Sequence, residues 1–501
     1  MRSPFSCLPL RLRQGATRNT PPTPIARAAP LDMPGPHVTF PAMTDFVPPH
    51  IPPQMRPLGL LGSLRAMRSN VLTILPGIAY TQPIVTGTTG PGRWHMVQSP
   101  EAMKRVFLDN HANYPKSEAM LRMLRPAVGA SLFTAEGAQW RWQRRAIAPV
   151  FTARNVTALA PMMTGTAERA STRLAAGSGP VGIVGQMLSA TFDVICEVAL
   201  SGRDHFDADL YAEAITRYFL TIGRVSLLDF LEAPAWLPRP GEFTGRQSVR
   251  TMHRMVAQAI EARRARPAQP DAAPDDLLDY MLRAEDPETG RRMTAQDLLH
   301  NMQFFIVAGH ETTALALSWA LLMLAHSPDI QHAAHAEARA VLGARAATAA
   351  DLSALPLTEA ILDETMRLYP PVGFLARNVL KPDMLHGREI RPGDALFLNI
   401  WSLHRHRDLW PAPDRFDPGH FSAEARANRD RYAHLPFGAG PRVCVGANFA
   451  MMQAQIILAT LLARFRFHPA GALPVPVMHM TIRPDPDITL RVEPIPDTPE
   501  K

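Results

Sequence analysis

Apolar residues recur with helical period along most of the chain, and strand-like alternation is confined to short stretches such as "DALFLNIW" at 394–401. The pattern predicts a mainly α protein with small β-sheets (α+β). The clearest helix opens at "TAQD", where Thr294 and Asp297 have the form of a capping box, and runs to His326 before Ser327 and Pro328 stop it. At 1.5 Å per residue its length is roughly 50 Å, enough to cross a whole domain. Both halves, "LLHNMQFFIVA" and "LALSWALLMLA", are apolar on nearly every side, as in a helix buried at the centre of a protein. Between them sits "GHETT". Glu311, Thr312 and Thr313 lie where their neighbours place the core, and buried polar groups need partners. Two readings stay open: a back-bonded threonine beside a paired glutamate, or a proton-handling site at a kink.

A second helix, in "EAILDETMRLYPP" at 359–371, is ended by its prolines and places Glu364 and Arg367 three apart on one face. Taken alone, that spacing describes a solvated salt bridge. "RPAQPDAAPDD" at 266–276 reads as a loop. Near the C-terminus "PFGAGPRVCVG" at 436–446 encloses one cysteine among glycines and prolines, and "ANFAMMQAQIILATLLARF" after it reads as a helix. Glycines let a backbone approach a bound group and turn amides toward a sulfur, and a helix N-terminus favours a thiolate. Both predict a lowered pKa for Cys444. Cys7 and Cys196 are too scattered to form a disulfide framework with it, and no cysteine or histidine stands at zinc-ligand spacing, so a reducing compartment is expected.

Composition narrows this further. With 501 residues, 46% hydrophobic and 19% charged, the chain is an ordinary globular protein. No composition shift interrupts residues 45–490, so one large domain, 43–501, is expected. Residues 1–42 hold Arg2, Arg11, Arg13, Arg18 and Arg27 against Asp32 and supply four of the seven net positive charges. They are expected to be disordered or absent from the mature chain: either a transit peptide or the product of a start placed too far upstream of Met33 or Met43. The remaining charge is too mild for a nucleic-acid partner. No window reaches the roughly 18 uninterrupted apolar residues of a membrane span, the longest run being 314–325, so no integral membrane anchor is expected.

Phe437, Gly440, Arg442, Cys444 and Gly446 fill every defined position of F-x-x-G-x-R-x-C-x-G, which resembles the haem-binding loop of the cytochrome P-450 family of haem-thiolate monooxygenases. Four further segments resemble that family in the right order. "AGHETT" is similar to its oxygen-activating helix, with Glu311 and Thr312 as acid–alcohol pair and Gly309 leaving room for dioxygen. Glu364 and Arg367 match its E-x-x-R helix, and Arg415 in "PDRF" completes the ion-paired triad. Trp140 and Arg144 in "GAQWRWQRR" match its W-x-x-x-R, and Arg377 and Arg442 match two more haem propionate partners. The resemblance covers roughly residues 45–490.

It implies a single cytochrome P-450-like domain around the long central helix, haem b (iron protoporphyrin IX) with Cys444 as proximal ligand, and insertion of one oxygen atom from dioxygen into an organic substrate. Only 55 residues follow Gly446, so the two electrons are expected from a separate ferredoxin with its reductase, steered toward Arg141 and Arg145 if these are more than a solvated face. The pocket is implied at 114–133, 218–231, 371–374 and 477–480. These stretches are apolar and methionine-rich, which suits a lipophilic substrate; Lys116, Arg122 and Arg125 are expected at the surface, the alternative being that they anchor a carboxylate. A cytoplasmic location is expected. A haem-thiolate sensor or carrier, or a peroxygenase or isomerase on the same scaffold, is the alternative that an intact "GHETT" disfavours.

Overall fold

The computed structural model describes residues 46–56, 58–89, 92–200, 207–222, 242–265 and 276–496, which belong to one compact unit, Phe40–Lys501. The expectations for residues 1–42, for 266–275 and for 223–231 lie outside the described residues.

The main helices are α1 (Glu118–Val128), α2 (Gly137–Ile147), α3 (Ala153–Ala175), α4 (Ile183–Leu200), α5 (Ala208–Ile222), α6 (Glu242–Arg264), α7 (Ala295–Ala325), α8 (Pro328–Leu342), α9 (Pro356–Leu368) and α10 (Ala447–Arg464). The long apolar segment is α7, and it is central: α1, α4, α6, α9 and α10 all pack on it. Its ends are chemically set. Thr294 and Asp297 close the expected capping box, and Ser327 and Pro328 open α8 immediately beyond His326. The polar "GHETT" does not interrupt the helix, which runs through it from Ala295 to Ala325. Toward its C-terminal half, Trp319 stacks on Tyr369 at 3.8 Å between ring centroids, tying α7 to the end of α9. By length and composition α7 would suffice to cross a membrane, yet 78% of its apolar window is buried inside the protein, as for a core helix.

The strands are β1 (Ile84–Thr89), β2 (Gly92–Val97), β3 (Pro180–Gly182), β4 (Phe374–Asn378), β5 (Asp383–Leu385), β6 (Arg388–Ile390), β7 (Ala395–Asn399), β8 (Phe465–Pro469), β9 (Val475–Met478), β10 (Ile482–Asp485) and β11 (Thr489–Pro494). They form a four-stranded sheet β1-β2-β7-β4, a three-stranded sheet β3-β11-β8 and two hairpins, β5-β6 and β9-β10. The expected strand at 394–401 is β7 but ends at Asn399, whose side chain caps a helical turn at Ile400–Leu403 by accepting from the Ser402 amide at 3.1 Å. The β9-β10 hairpin is pinned to α7 and to the 371–374 turn. Trp319 Nε1 donates to the Ile482 carbonyl at 3.2 Å, and the Ile482 amide to the Pro371 carbonyl at 3.1 Å.

Candidate active site

Along α7, Phe304, Ala308, Gly309 and Thr312 keep partial exposure while the residues around them are buried. Positions 304, 308 and 312 are one helical stripe, so one face of the central helix borders a cleft rather than packed side chains. Cys444 has the same signature: enclosed by protein, yet with an accessible side chain. Its loop is held tightly. The Cys444 amide donates to the Phe437 carbonyl at 3.0 Å, Gly440 takes φ +68°, and a Cβ there would overlap the Phe107 carbonyl. Gly446 then caps α10.

The thiol departs from expectation. Burial pushes the Cys444 pKa up, and the Gly446 amide and the Arg144 charge pull it down without overcoming that. Amides and a helix terminus bring partial charges only; a metal cation at the sulfur supplies the full charge that holds a thiolate.

Around the loop the cations are in excess. Lys116 and Arg377 are buried, the side chain of Arg442 is 17% exposed, and Glu136 is the acid that faces all three among the described residues. Burial first, then Arg442, lowers Arg377 to about 10 and Lys116 to about 7. Arg442 pairs with Glu136, donates to the Ala135 carbonyl at 3.1 Å and lies 4.3 Å from the Trp140 ring centroid. Arg377 donates to its own Ala376 carbonyl at 3.0 Å, and Lys116 to the Phe133 carbonyl. Buried cations that outnumber their carboxylates call for an anion. A ligand bearing two carboxylates fits this cluster, as haem does, and an accessible enclosed thiol fits its iron. Arg144, expected among the propionate donors, gives one N–H to the Val443 carbonyl at 3.0 Å.

In "GHETT" the threonine is back-bonded and the glutamate is paired. Thr312 Oγ1 donates to the Ala308 carbonyl at 3.0 Å, and Glu311 is paired: its Oε1 accepts from Arg483 Nε at 2.8 Å and from the Thr481 hydroxyl. Burial raises the Glu311 pKa, but Arg483 with its hydrogen bond and then His310 and Thr481 outweigh it, and the carboxyl is held below its usual range. At Gly309, the close approach that glycine permits is that of Ile195 from α4, 2.8 Å from where a Cβ would stand.

Glu364 and Arg367 are fully buried, not solvated. Arg367 donates to both carboxylate oxygens of Glu364 at 2.6 and 2.7 Å and to the carbonyls of His404, Pro413 and Arg415 at 2.7–2.9 Å. The Arg415 carbonyl is one of these acceptors. The His420 side chain also reaches Glu364, at 3.2 Å, which the sequence reading missed because a histidine 56 residues away carries no local signal. Lys116 was misplaced at the surface: a backbone bridge to Arg377 draws it inside, whereas Arg122 is exposed and Arg125 pairs outside with Glu118 at 3.2 Å. Arg145 is neutralised by Asp286 at 2.7 Å and Glu288 at 3.1 Å, which leaves Arg141 as the exposed cation of α2.

With this geometry in place, comparison with known proteins defines the class. The family model "Cytochrome P450" matches residues 52–491. The chain belongs to the cytochrome P450 family and is a haem-thiolate oxidoreductase of the monooxygenase type. It is similar to cyclooctat-9-en-7-ol 5-monooxygenase of Streptomyces melanosporofaciens, 30% identical over 82% of this chain and 88% of that protein. It is also similar to the bifunctional cytochrome P450/NADPH–P450 reductase ALT2 of Alternaria alternata, 32% identical over 75% of this chain and 35% of that protein. Among solved structures, the haem domain of cytochrome P450DA aligns with TM-score 0.74 at 25% identity, covering 82% of this chain and 90% of that one.

Proposed function

We propose that this protein hydroxylates or epoxidises a lipophilic organic substrate, using dioxygen and two electrons from a separate ferredoxin with its reductase. The observation that carries the reading is the enclosed, accessible thiol of Cys444 beside Lys116, Arg377 and Arg442, three cations that share Glu136. When bound, haem b supplies the oxygen-activating chemistry. Cys444 would hold its iron; Arg377, Arg442 and Lys116 would take its two carboxylates, with Trp140 beside Arg442 and Arg144 as further donors, and we assign residues 43–501 to the haem domain. Phe437, Gly440 and Gly446 keep the thiol at a fixed place by the loop geometry above. Arg144 stiffens that loop through the Val443 carbonyl.

The substrate lies against the accessible stripe of α7 and the methionine-bearing hairpin, where Met478 packs on Gly373. An apolar wall suits an unsaturated alcohol such as the one named for the Streptomyces relative. The exposed Arg141 supports docking of an acidic donor. The fused reductase in the name of the Alternaria relative is the other arrangement, in that protein. We assign a cytoplasmic placement.

Thr312 is the hydroxyl at the accessible stripe, and we assign it the last proton transfer toward dioxygen, with Glu311 behind it. Thr312→Val keeps shape and removes the hydroxyl. With substrate and reductase present, NAD(P)H oxidation should persist, product per NAD(P)H should fall at least about tenfold, and hydrogen peroxide should rise. Product that stays coupled to NAD(P)H, measured side by side with the parent, would remove Thr312 from the path.

A further inference from the structure

The carboxylate of Glu311 does not face the accessible stripe of its own helix. It leaves α7 toward β10, where Arg483 and Thr481 bind the same oxygen. The pair spans from interior to surface: the Glu311 side chain is 6% exposed and that of Arg483 38%. The hairpin carrying Arg483 is fixed independently of this contact. Asn70 bonds the Pro476 carbonyl and the Met478 amide at 2.9 and 3.0 Å, and Trp319 bonds Ile482. The same hairpin packs Met478 against Gly373, on the side assigned to substrate.

We propose that Arg483, assisted by Thr481, is a positioning residue for oxygen activation: the β9-β10 hairpin holds the Glu311 carboxylate toward the surface as the intake of the proton path that ends at Thr312. The proposal rests on the monooxygenase reading and adds to it where protons enter. The groups facing Glu311 among the described residues are these. From its own helix comes His310, whose ring bonds the Ile306 carbonyl and whose pKa burial lowers. On the α4 side, Thr191 is bonded to the His310 carbonyl at 2.7 Å and adds no charge. From the hairpin come Thr481 and Arg483, so Arg483 is the strong stabiliser of the ionised acid.

The sign follows. A carboxyl held below its usual range stays ionised until the pH falls through that lowered value, and removing Arg483 leaves burial to raise it. Arg483→Met should therefore leave Glu311 protonated near neutral pH. Infrared spectroscopy of the substrate-free ferric holoprotein should reveal a protonated-carboxyl band in Arg483→Met. That band should be absent from the parent, from Arg483→Lys and from Arg483→Met combined with Glu311→Gln. In parallel, the acid limb of product per NAD(P)H should move to higher pH, with a several-fold loss at pH 6.5 that Arg483→Lys largely restores. Thr481→Val should move both readouts in the same direction by less, and serves where Arg483→Met folds poorly. No new band and an unmoved limb in Arg483→Met, or in Thr481→Val where only that variant folds, overturn the proposal. The Thr312→Val result and the ligation of Cys444 are independent of both readouts, so a failure here is distinguishable from a failure of the monooxygenase reading.

Discussion

Replacing Arg367 with alanine should destabilise the protein by about 3–5 kcal/mol, because it strands the fully buried carboxylate of Glu364. Arg367 also satisfies three carbonyls from the segment 404–415, which leads into the cysteine loop. The loss should therefore appear both as a lower midpoint of chemical unfolding and as haem-poor protein. His420 and the Asp417 amide still reach Glu364, at 3.2 and 2.9 Å, and soften the loss without cancelling the charge. The double change Glu364→Leu with Arg367→Met should recover much of the midpoint, since it leaves no unpaired charge. Arg391→Ala, which breaks an exposed pair with Glu389, should leave the midpoint where it is. An Arg367→Ala midpoint equal to the parent would mean that the pair is not the keystone of this region.

Gly440→Ala should cost the protein its haem. At φ +68° an alanine is strained by about 1–3 kcal/mol, and its Cβ would overlap the Phe107 carbonyl, a backbone atom that no side-chain rotation can move. The loop must open, and Cys444 moves with it. Strain of that size, expressed in binding, is a loss of affinity of about 5- to 150-fold. Gly343→Ala is the matched control: φ is +60° but nothing stands within 4 Å, so it should cost conformational strain alone and keep haem content unchanged. Haem per protein after purification, read from absorbance, decides between them.

How much of this was legible beforehand depended on whether the information was local. The borders of α7 were readable because Thr294, Asp297, Ser327 and Pro328 act on their immediate neighbours. The composition of the cysteine loop was readable because its φ values and close contacts demand glycine at fixed spacing. What failed was long-range. The burial of Lys116 comes from a bridge to Arg377, the loss of charge on Arg145 from Asp286, and the direction taken by Glu311 from Arg483, each a partner supplied by another segment. The Cys444 thiol failed for another reason: its donors were all visible in the sequence, but the weight of burial against them was not. Gly309 was read as space for dioxygen, and the residue pressing on it, Ile195, is set by the packing of α4 on α7.

The most direct test of the account is the spectrum of the reduced protein with carbon monoxide, taken on the full chain carrying haem. Cys444 is the accessible thiol at the cleft, while Cys196 is buried in α4. The account predicts the red-shifted Soret band of thiolate ligation in the parent, and its loss in Cys444→Ser with the fold retained by circular dichroism. A histidine-type band from folded parent protein, or a thiolate band that survives Cys444→Ser, would contradict it.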